Sequence, residues 1–193
     1  MKNIKDIETI KKHSTINRVL HGAIALTLIL IIGTIFLRMT WLDKNNVADI
    51  IQGYLSTTDQ SLSRDQAVVL AKQIRQPMWD WHWYLGYFLT GLLAIRFSLS
   101  LFGKMEFPHP FRKHLPLSKK FQAWVYFIFY ICVSISLITG LILEFGSGDF
   151  IKPIKVVHKL SLYYLIPFIV IHLGGVLAAW YKKEREGGLS PTL

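Results

Sequence analysis

One mostly apolar stretch decides the fold: Lys155-Val-Val-His158-Lys-Leu-Ser-Leu-Tyr-Tyr-Leu-Ile-Pro-Phe-Ile-Val-Ile-His172. On an α-helix, fourteen steps of about 100° return to within roughly 40° of the same face, over a rise of about 21 Å. The stretch therefore predicts one helix with two imidazoles on one side, one near each face of a bilayer core about 30 Å thick. Ionisable side chains at membrane depth are costly and usually functional, and a neutral imidazole is a strong metal ligand.

The composition predicts a membrane protein. Hydrophobic residues make up 52% of the 193 positions, which is more than a typical soluble domain contains. Four segments are long enough to span a membrane, at about residues 19–39, 81–102, 121–143 and 154–181. Because no separate soluble domain remains, we expect one all-α domain over residues 1–193, an integral membrane four-helix bundle. The polar N-terminus and the long first span indicate that there is no cleavable signal peptide.

The net charge of +10 raises the question of nucleic-acid binding, but the placement of the charges indicates membrane orientation instead. One side carries Lys2, Lys5, Lys11, Lys12 and Arg18 before the first span, Lys104, Arg112, Lys113, Lys119 and Lys120 between the second and third, and Lys182, Lys183 and Arg185 after the fourth. The segments on the other side have mixed charges. The positive-inside rule then places both termini in the cytoplasm, with lipid and no nucleic acid as partners.

The longest segment outside the spans, residues 42–80, falls on the periplasmic side. Ser63-Arg-Asp-Gln66 has the pattern of a capping box, and an amphipathic pattern follows it and stops before Pro77. The apolar stripe of that pattern consists of Ala67, Val68, Leu70, Ala71 and Ile74. We therefore expect a long periplasmic loop containing a short helix, whose stripe is buried against the outer ends of the spans or against a partner protein.

The seven histidines divide into two groups. Three fall in polar inner segments and are expected at the surface, namely His13, His109 and His114. The other four fall inside spans. His21 and His172 lie near the inner face, whereas His82 and His158 lie near the outer face because the second and fourth spans start there. The sequence thus predicts two pairs at two depths, His21 with His172 and His82 with His158.

Haem iron is the group that such pairs fit best. Zinc requires three or four nitrogen or sulfur ligands, whereas haem iron requires two axial ligands from the protein, and bundle cores are where such sites are built. The alternative is that the four are ordinary hydrogen-bonded core histidines. The only cysteine is Cys132, and no Cys-x-x-Cys-His motif is present, so covalent c-type attachment by that motif is excluded.

Other residues near the histidines suit a bound macrocycle. Gly22, Gly86 and Gly174 would leave room for a flat ring, although glycines also serve close helix packing in membranes. Haem propionates need cationic partners near the membrane faces. Arg18 and Arg96 are the candidates for this role, together with Lys155 or Lys159.

The whole pattern resembles the bacterial cytochrome b561 family. The features that carry the resemblance are four spans, a histidine early in the first, another at the start of the second, and two histidines fourteen positions apart in the fourth. The family is related to the cytochrome b subunits of nickel–iron hydrogenases and membrane formate dehydrogenases. The resemblance implies that His21, His82, His158 and His172 are the axial ligands of two b haems. Residues 42–80 are longer than expected for compact members.

Electron transfer is the predicted function, since two bis-histidine haems leave no open iron position. The first hypothesis is a dihaem cytochrome that carries electrons between the quinone pool and a periplasmic redox protein or complex subunit. A second is a stand-alone superoxide:quinone oxidoreductase, which would need a basic outer funnel; the outer side here is nearly charge-balanced. A third is a membrane anchor subunit of a hydrogenase- or dehydrogenase-type complex. The sequence leaves a homodimer open.

Overall fold

The computed structural model describes residues 4–103, 110–111 and 116–187, with side chains from Thr15 onward apart from those of 183 and 186–187. Within these residues the chain forms seven α-helices and no strand, which confirms the all-α prediction. Four segments are long and apolar enough to cross a membrane: Thr15–Met39, Gln76–Leu101, Leu117–Phe145 and Ile151–Lys182. The chain divides into two compact units, Met1–Glu106 and Phe107–Leu193, which are described separately below.

In the first unit, α1 (Ile4–Met39) packs along α4 (Gln76–Leu101). Apolar side chains four positions apart are buried on each helix, for example Leu20 and Ile24 on α1 and Leu89 and Leu93 on α4, the spacing that places residues on one helical face. The second span starts at Gln76, five residues before the predicted start. Its proline lies in the first turn, where the missing N–H has no helical partner to lose.

The segment between the first two spans contains two helices, α2 (Lys44–Leu55) and α3 (Arg64–Ile74), instead of the single one expected. The capping box of α3 is confirmed: the Gln66 N–H donates to Ser63 Oγ at 3.3 Å, and the Ser63 N–H donates to Gln66 Oε1 at 3.0 Å. The missed helix α2 begins with its own cap, since the Asn45 N–H donates to Asp43 Oδ1 at 2.8 Å. This backbone hydrogen bond holds the pKa of the Asp43 carboxyl below its usual value.

Part of the apolar stripe of α3 packs against α2, which for this part corrects the expectation that the spans or a partner protein would cover it. Ala67 and Ala71 are fully buried and form a cluster with Val47 and Ala48 of α2. Leu70 and Ile74, by contrast, remain exposed. Small side chains on both helices let the two backbones approach closely. The segment is therefore a helical hairpin with its own core.

Polar contacts close the same hairpin at its edge. Arg64 of α3 forms an ion pair with Asp49 of α2 and also donates to Gln52 Oε1 at 3.1 Å. The Gln52 side chain in turn donates to the Leu62 carbonyl at 3.1 Å. These contacts join the two helices and the turn between them into one folded element.

In the second unit, α5 (Leu117–Phe145) packs against α6 (Ile151–Lys159) and α7 (Ser161–Gly187). The fourth span was expected as one helix, but it is interrupted at Leu160, whose N–H donates to the Val157 carbonyl at 3.1 Å. This contact closes a tighter turn than an α-helix does. The helix continues through Pro167. The interruption lies between His158 and His172, so an ideal continuous helix no longer fixes the angle between them.

The spanning helices expose many large apolar side chains. Examples are Leu26 and Phe36 on α1, Phe88 on α4, Ile138 on α5 and Val170 on α7. Contiguous apolar surface on helices of this length is the surface that lipid covers. The chain is therefore a multi-pass membrane protein that contacts lipid through these helices.

Candidate functional site

The four candidate histidines lie on four helices. In the first unit, His21 is exposed on α1 and His82 is half-buried on α4. In the second unit, His158 is half-buried in the last turn of α6 and His172 is half-buried on α7. His82, His158 and His172 each have a hydrogen-bond partner on a neighbouring helix of their own unit.

The ring of His82 is held by a threonine of α1. Thr34 Oγ1 lies 2.9 Å from His82 Nδ1, and the same hydroxyl donates to the Ile31 carbonyl at 2.6 Å. A hydroxyl has one proton, and here the carbonyl takes it. The Thr34 oxygen therefore accepts from the His82 Nδ1–H, a tautomer in which Nε2 carries the lone pair that can coordinate a metal.

The tautomer of His158 is fixed even more directly. Its Nδ1 lies 3.0 Å from the Ser136 carbonyl oxygen on α5. A carbonyl oxygen can only accept, so Nδ1 carries the hydrogen and Nε2 carries the lone pair that can coordinate a metal. The Thr139 hydroxyl lies 3.2 Å from the same Nδ1. Gly140 makes the approach of the ring possible, because a Cβ added there would lie 3.2 Å from His158 Cε1.

A directed chain of hydroxyl groups supports the helix interruption next to His158. The Tyr164 hydroxyl donates to Ser136 Oγ at 2.9 Å, and Ser136 Oγ lies 2.6 Å from Ser161 Oγ. The Ser161 hydroxyl donates to the His158 carbonyl. Since Ser161 uses its only proton there, Ser136 is the donor to Ser161. This chain ties the interruption between α6 and α7 to α5.

His172 has a phenol and an aromatic ring as neighbours. Tyr126 Oη of α5 lies 2.9 Å from His172 Nδ1. Phe168, one turn earlier on α7, is nearly parallel to the imidazole, with ring centres 5.6 Å and planes 10° apart. Phe168 in turn stacks on Phe129 of α5 at 3.7 Å. The hydrogen bond holds one edge of the imidazole, and the stacked ring holds its plane.

These arrangements fit a haem ligand. Metal-binding histidines almost always use their second ring nitrogen in a hydrogen bond to the protein, which fixes the tautomer and the ring orientation. Here Nδ1 of His82, His158 and His172 has such a partner, and each partner comes from a different helix than the histidine. Haem iron requires this kind of ligand, a neutral imidazole that coordinates through its other nitrogen.

The other predicted site residues have less distinctive surroundings. No described atom lies within 4 Å of a Cβ added at Gly22, Gly86 or Gly174. Arg18 is exposed and Arg96 is half-buried, and both remain predicted partners for haem propionates. His109 and His114 lie outside the described residues, as does the side chain of His13.

Sequence reasoning missed the partners of the histidines. Thr34, Tyr126, Ser136 and Thr139 hold the three rings, and Gly140 admits one of them. A signal was present, because hydroxyl-bearing residues inside apolar spans need a hydrogen-bond partner. Most such hydroxyls bond to the carbonyl one turn earlier, as Thr27 does with Ala23. The sequence therefore does not distinguish the hydroxyls that reach a histidine.

Membrane spans whose histidines are hydrogen-bonded at one ring nitrogen fit a class, the membrane-bound haem proteins of the b type. The chain matches the family model of prokaryotic cytochrome b561 over residues 12–186, and it belongs to that family. Family membership makes it a membrane b-type cytochrome that binds haem b and takes part in electron transfer. No curated protein and no solved structure matches the chain.

Proposed function

We propose that the chain is a dihaem cytochrome that carries electrons across the bacterial inner membrane, between the quinone pool and a periplasmic redox partner. The observation that supports this most strongly is the shared hydrogen bonding of His82, His158 and His172 through Nδ1. Ordinary core histidines also form hydrogen bonds, but they need not present the same nitrogen. For His82 and His158 the partner accepts from Nδ1–H, which leaves the Nε2 lone pair available for axial coordination, and His172 is hydrogen-bonded at the same ring nitrogen.

The proposed pairs follow from depth along the spans. His21 lies early in the first span and His172 late in the fourth, so both belong near the cytoplasmic face if both termini are cytoplasmic. His82 and His158 belong near the periplasmic face by the same argument. The excess of lysine and arginine at the two termini and between the second and third spans supports this orientation.

Haem b, when bound, supplies one-electron transfer between ferric and ferrous iron. The partners of Nδ1 would hold the rings of His82, His158 and His172 in place, and the apolar helices would limit the access of water to them. Bis-histidine coordination leaves no open iron position, which favours electron transfer over oxygen chemistry. Haems at two depths would give electrons a route between the two membrane faces.

We place the quinone site at the inner haem, near the start of the first span. Asn17 is half-buried and Arg18 is exposed there, and both can donate a hydrogen bond to a quinone carbonyl. His114 is a third candidate and lies outside the described residues. The periplasmic hairpin of α2 and α3, a folded element with its own core, would then be available to the redox partner on the opposite side.

The test is anaerobic reduction of the purified holoprotein by a short-chain quinol, followed optically in a stopped-flow instrument. We expect Asn17→Ala and Arg18→Ala to slow quinol-driven reduction several-fold while reduction by dithionite keeps its rate. Lys152→Ala, which removes an exposed cation on the outer side, is the matched control for Arg18→Ala and should leave both rates unchanged. Spectral shifts caused by a quinone analogue at the outer haem alone would reject the inner site.

A further inference from the structure

Three side chains near the outer end of the first unit form a stacked column. Arg38 of α1 lies over the ring of Trp79, with Cζ 4.0 Å from the ring centre. Trp79 stacks on His82 of the same helix α4, with ring centres 4.5 Å and planes 3° apart. Thr34, one turn before Arg38 on α1, holds Nδ1 of the same imidazole. One turn of α1 therefore contacts both Trp79 and His82.

The column differs from an ordinary aromatic belt. Three tryptophans stand at this membrane entrance, and belts of this kind are common. Trp81 is 62% exposed and meets Tyr84 edge-on at 6.0 Å, as expected for an interface anchor. Trp83 meets His82 edge-on at 6.5 Å. Trp79 alone among the three stacks in parallel on the histidine, and an interface anchor has no need of that contact.

We propose that Trp79 and Arg38 are positioning residues for the outer haem: Trp79 fixes the plane of the His82 ring, and Arg38 raises the reduction potential of the haem that His82 binds. This inference rests on the proposed role of His82 as an axial ligand. An imidazole bound through Nε2 can rotate about the iron–nitrogen bond. The Thr34 hydrogen bond restrains one edge of the ring and the Trp79 face restrains its plane, so together they oppose that rotation.

The expected effect of Arg38 on the reduction potential follows from its positive charge. The arginine side chain stays protonated under all ordinary conditions, and here it lies over Trp79, the ring that stacks on the imidazole. Oxidised haem iron carries one more positive charge than reduced iron, so a nearby cation disfavours the oxidised form. The interaction is strengthened because the groups lie near apolar helices, where charges are screened less than in water. Removing the charge of Arg38 should therefore lower the potential.

The experiment uses the full-length holoprotein and two readouts, the electron paramagnetic resonance of the ferric haems and a potentiometric titration. The g anisotropy of a low-spin bis-histidine haem depends on the angle between its imidazole planes. We expect Trp79→Leu to shift the signal of the outer haem and Trp79→Phe, which keeps a ring face, to restore it. Arg38→Gln should lower the outer potential, and Arg38→Lys should recover part of that shift. The inner haem serves as an internal reference.

Trp81→Leu is the matched control, because it removes an exposed tryptophan two positions away on the same helix. The proposal is overturned if Trp79→Leu and Arg38→Gln give the outer signal and potential that Trp81→Leu gives. Should Trp79→Leu lose the outer haem, Trp79→Phe decides: a retained haem with the native signal supports positioning by the ring face, and a lost haem overturns it. If His82→Ala leaves both haems in place, the ligand assignment fails instead, which is a separate result.

Discussion

Replacement of His82 by alanine is expected to remove one of two b-haem components and to leave the other with its spectrum and potential nearly unchanged. The reason is depth along the spans: we propose that His82 and His158 form the outer pair, and no residue of the proposed inner pair is altered. The measurement is the reduced-minus-oxidised optical spectrum of the purified variant, with total haem determined per chain. Haem content should fall by about half.

Alanine variants of the other three histidines, compared with His82→Ala, test the proposed pairing. His158→Ala should remove the same component as His82→Ala, and His21→Ala the same component as His172→Ala. Thr34→Val is the graded control, because it removes only the group that holds His82 Nδ1; loss of such a partner typically lowers metal affinity about 10- to 100-fold. The pairing is wrong if His82→Ala and His172→Ala abolish the same component.

The second large effect is expected at Gly140. A Cβ built at this position lies 3.2 Å from His158 Cε1, so a hydrogen atom fits there and a branched side chain does not. Gly140→Leu should push the imidazole away from the Ser136 carbonyl and remove the outer haem. Gly140→Ala should keep it with weakened binding, since a small shift of the ring can relieve the contact.

Gly91→Leu is the matched control for Gly140→Leu. Gly91 is exposed in the middle of α4, and no described atom lies within 4 Å of an added Cβ there. A leucine has higher helix propensity than glycine by several tenths of a kcal/mol or more, so neither change should unfold its helix through local preference. Haem retained in full by Gly140→Leu would show that the approach of His158 to α5 has no part in binding.

The architecture could largely be predicted from the sequence, because hydropathy over about 20 residues is a strong signal in a membrane protein. The four spans could be recognised from position along the chain and hydropathy alone. The capping box of α3 was also predictable, since Ser63 and Gln66 lie within one turn of each other. Patterns of this kind involve only residues that are close in sequence, so they can be recognised without the tertiary structure.

The surroundings of the histidines could not be predicted, because they depend on residues distant in sequence. His82 is held by Thr34, which is 48 positions away, and His172 by Tyr126, which is 46 positions away. No spacing rule connects such pairs. The helix α2 was missed for another reason: its buried residues Val47 and Ala48 are few and follow polar residues, so the periodic pattern is weak. The helix interruption at Leu160 could not be predicted either, because no proline or glycine lies next to this residue in the sequence.

The measurement that tests the central claim most directly is the number and type of haems per chain. Acid–acetone extraction of the purified protein, a pyridine haemochrome spectrum of the extract and a protein determination on the same sample give both values. If the chain is a dihaem b-type cytochrome, we expect two haems per chain, both fully extractable and with the spectrum of haem b. One haem per chain, or haem that stays with the protein after extraction, would contradict it.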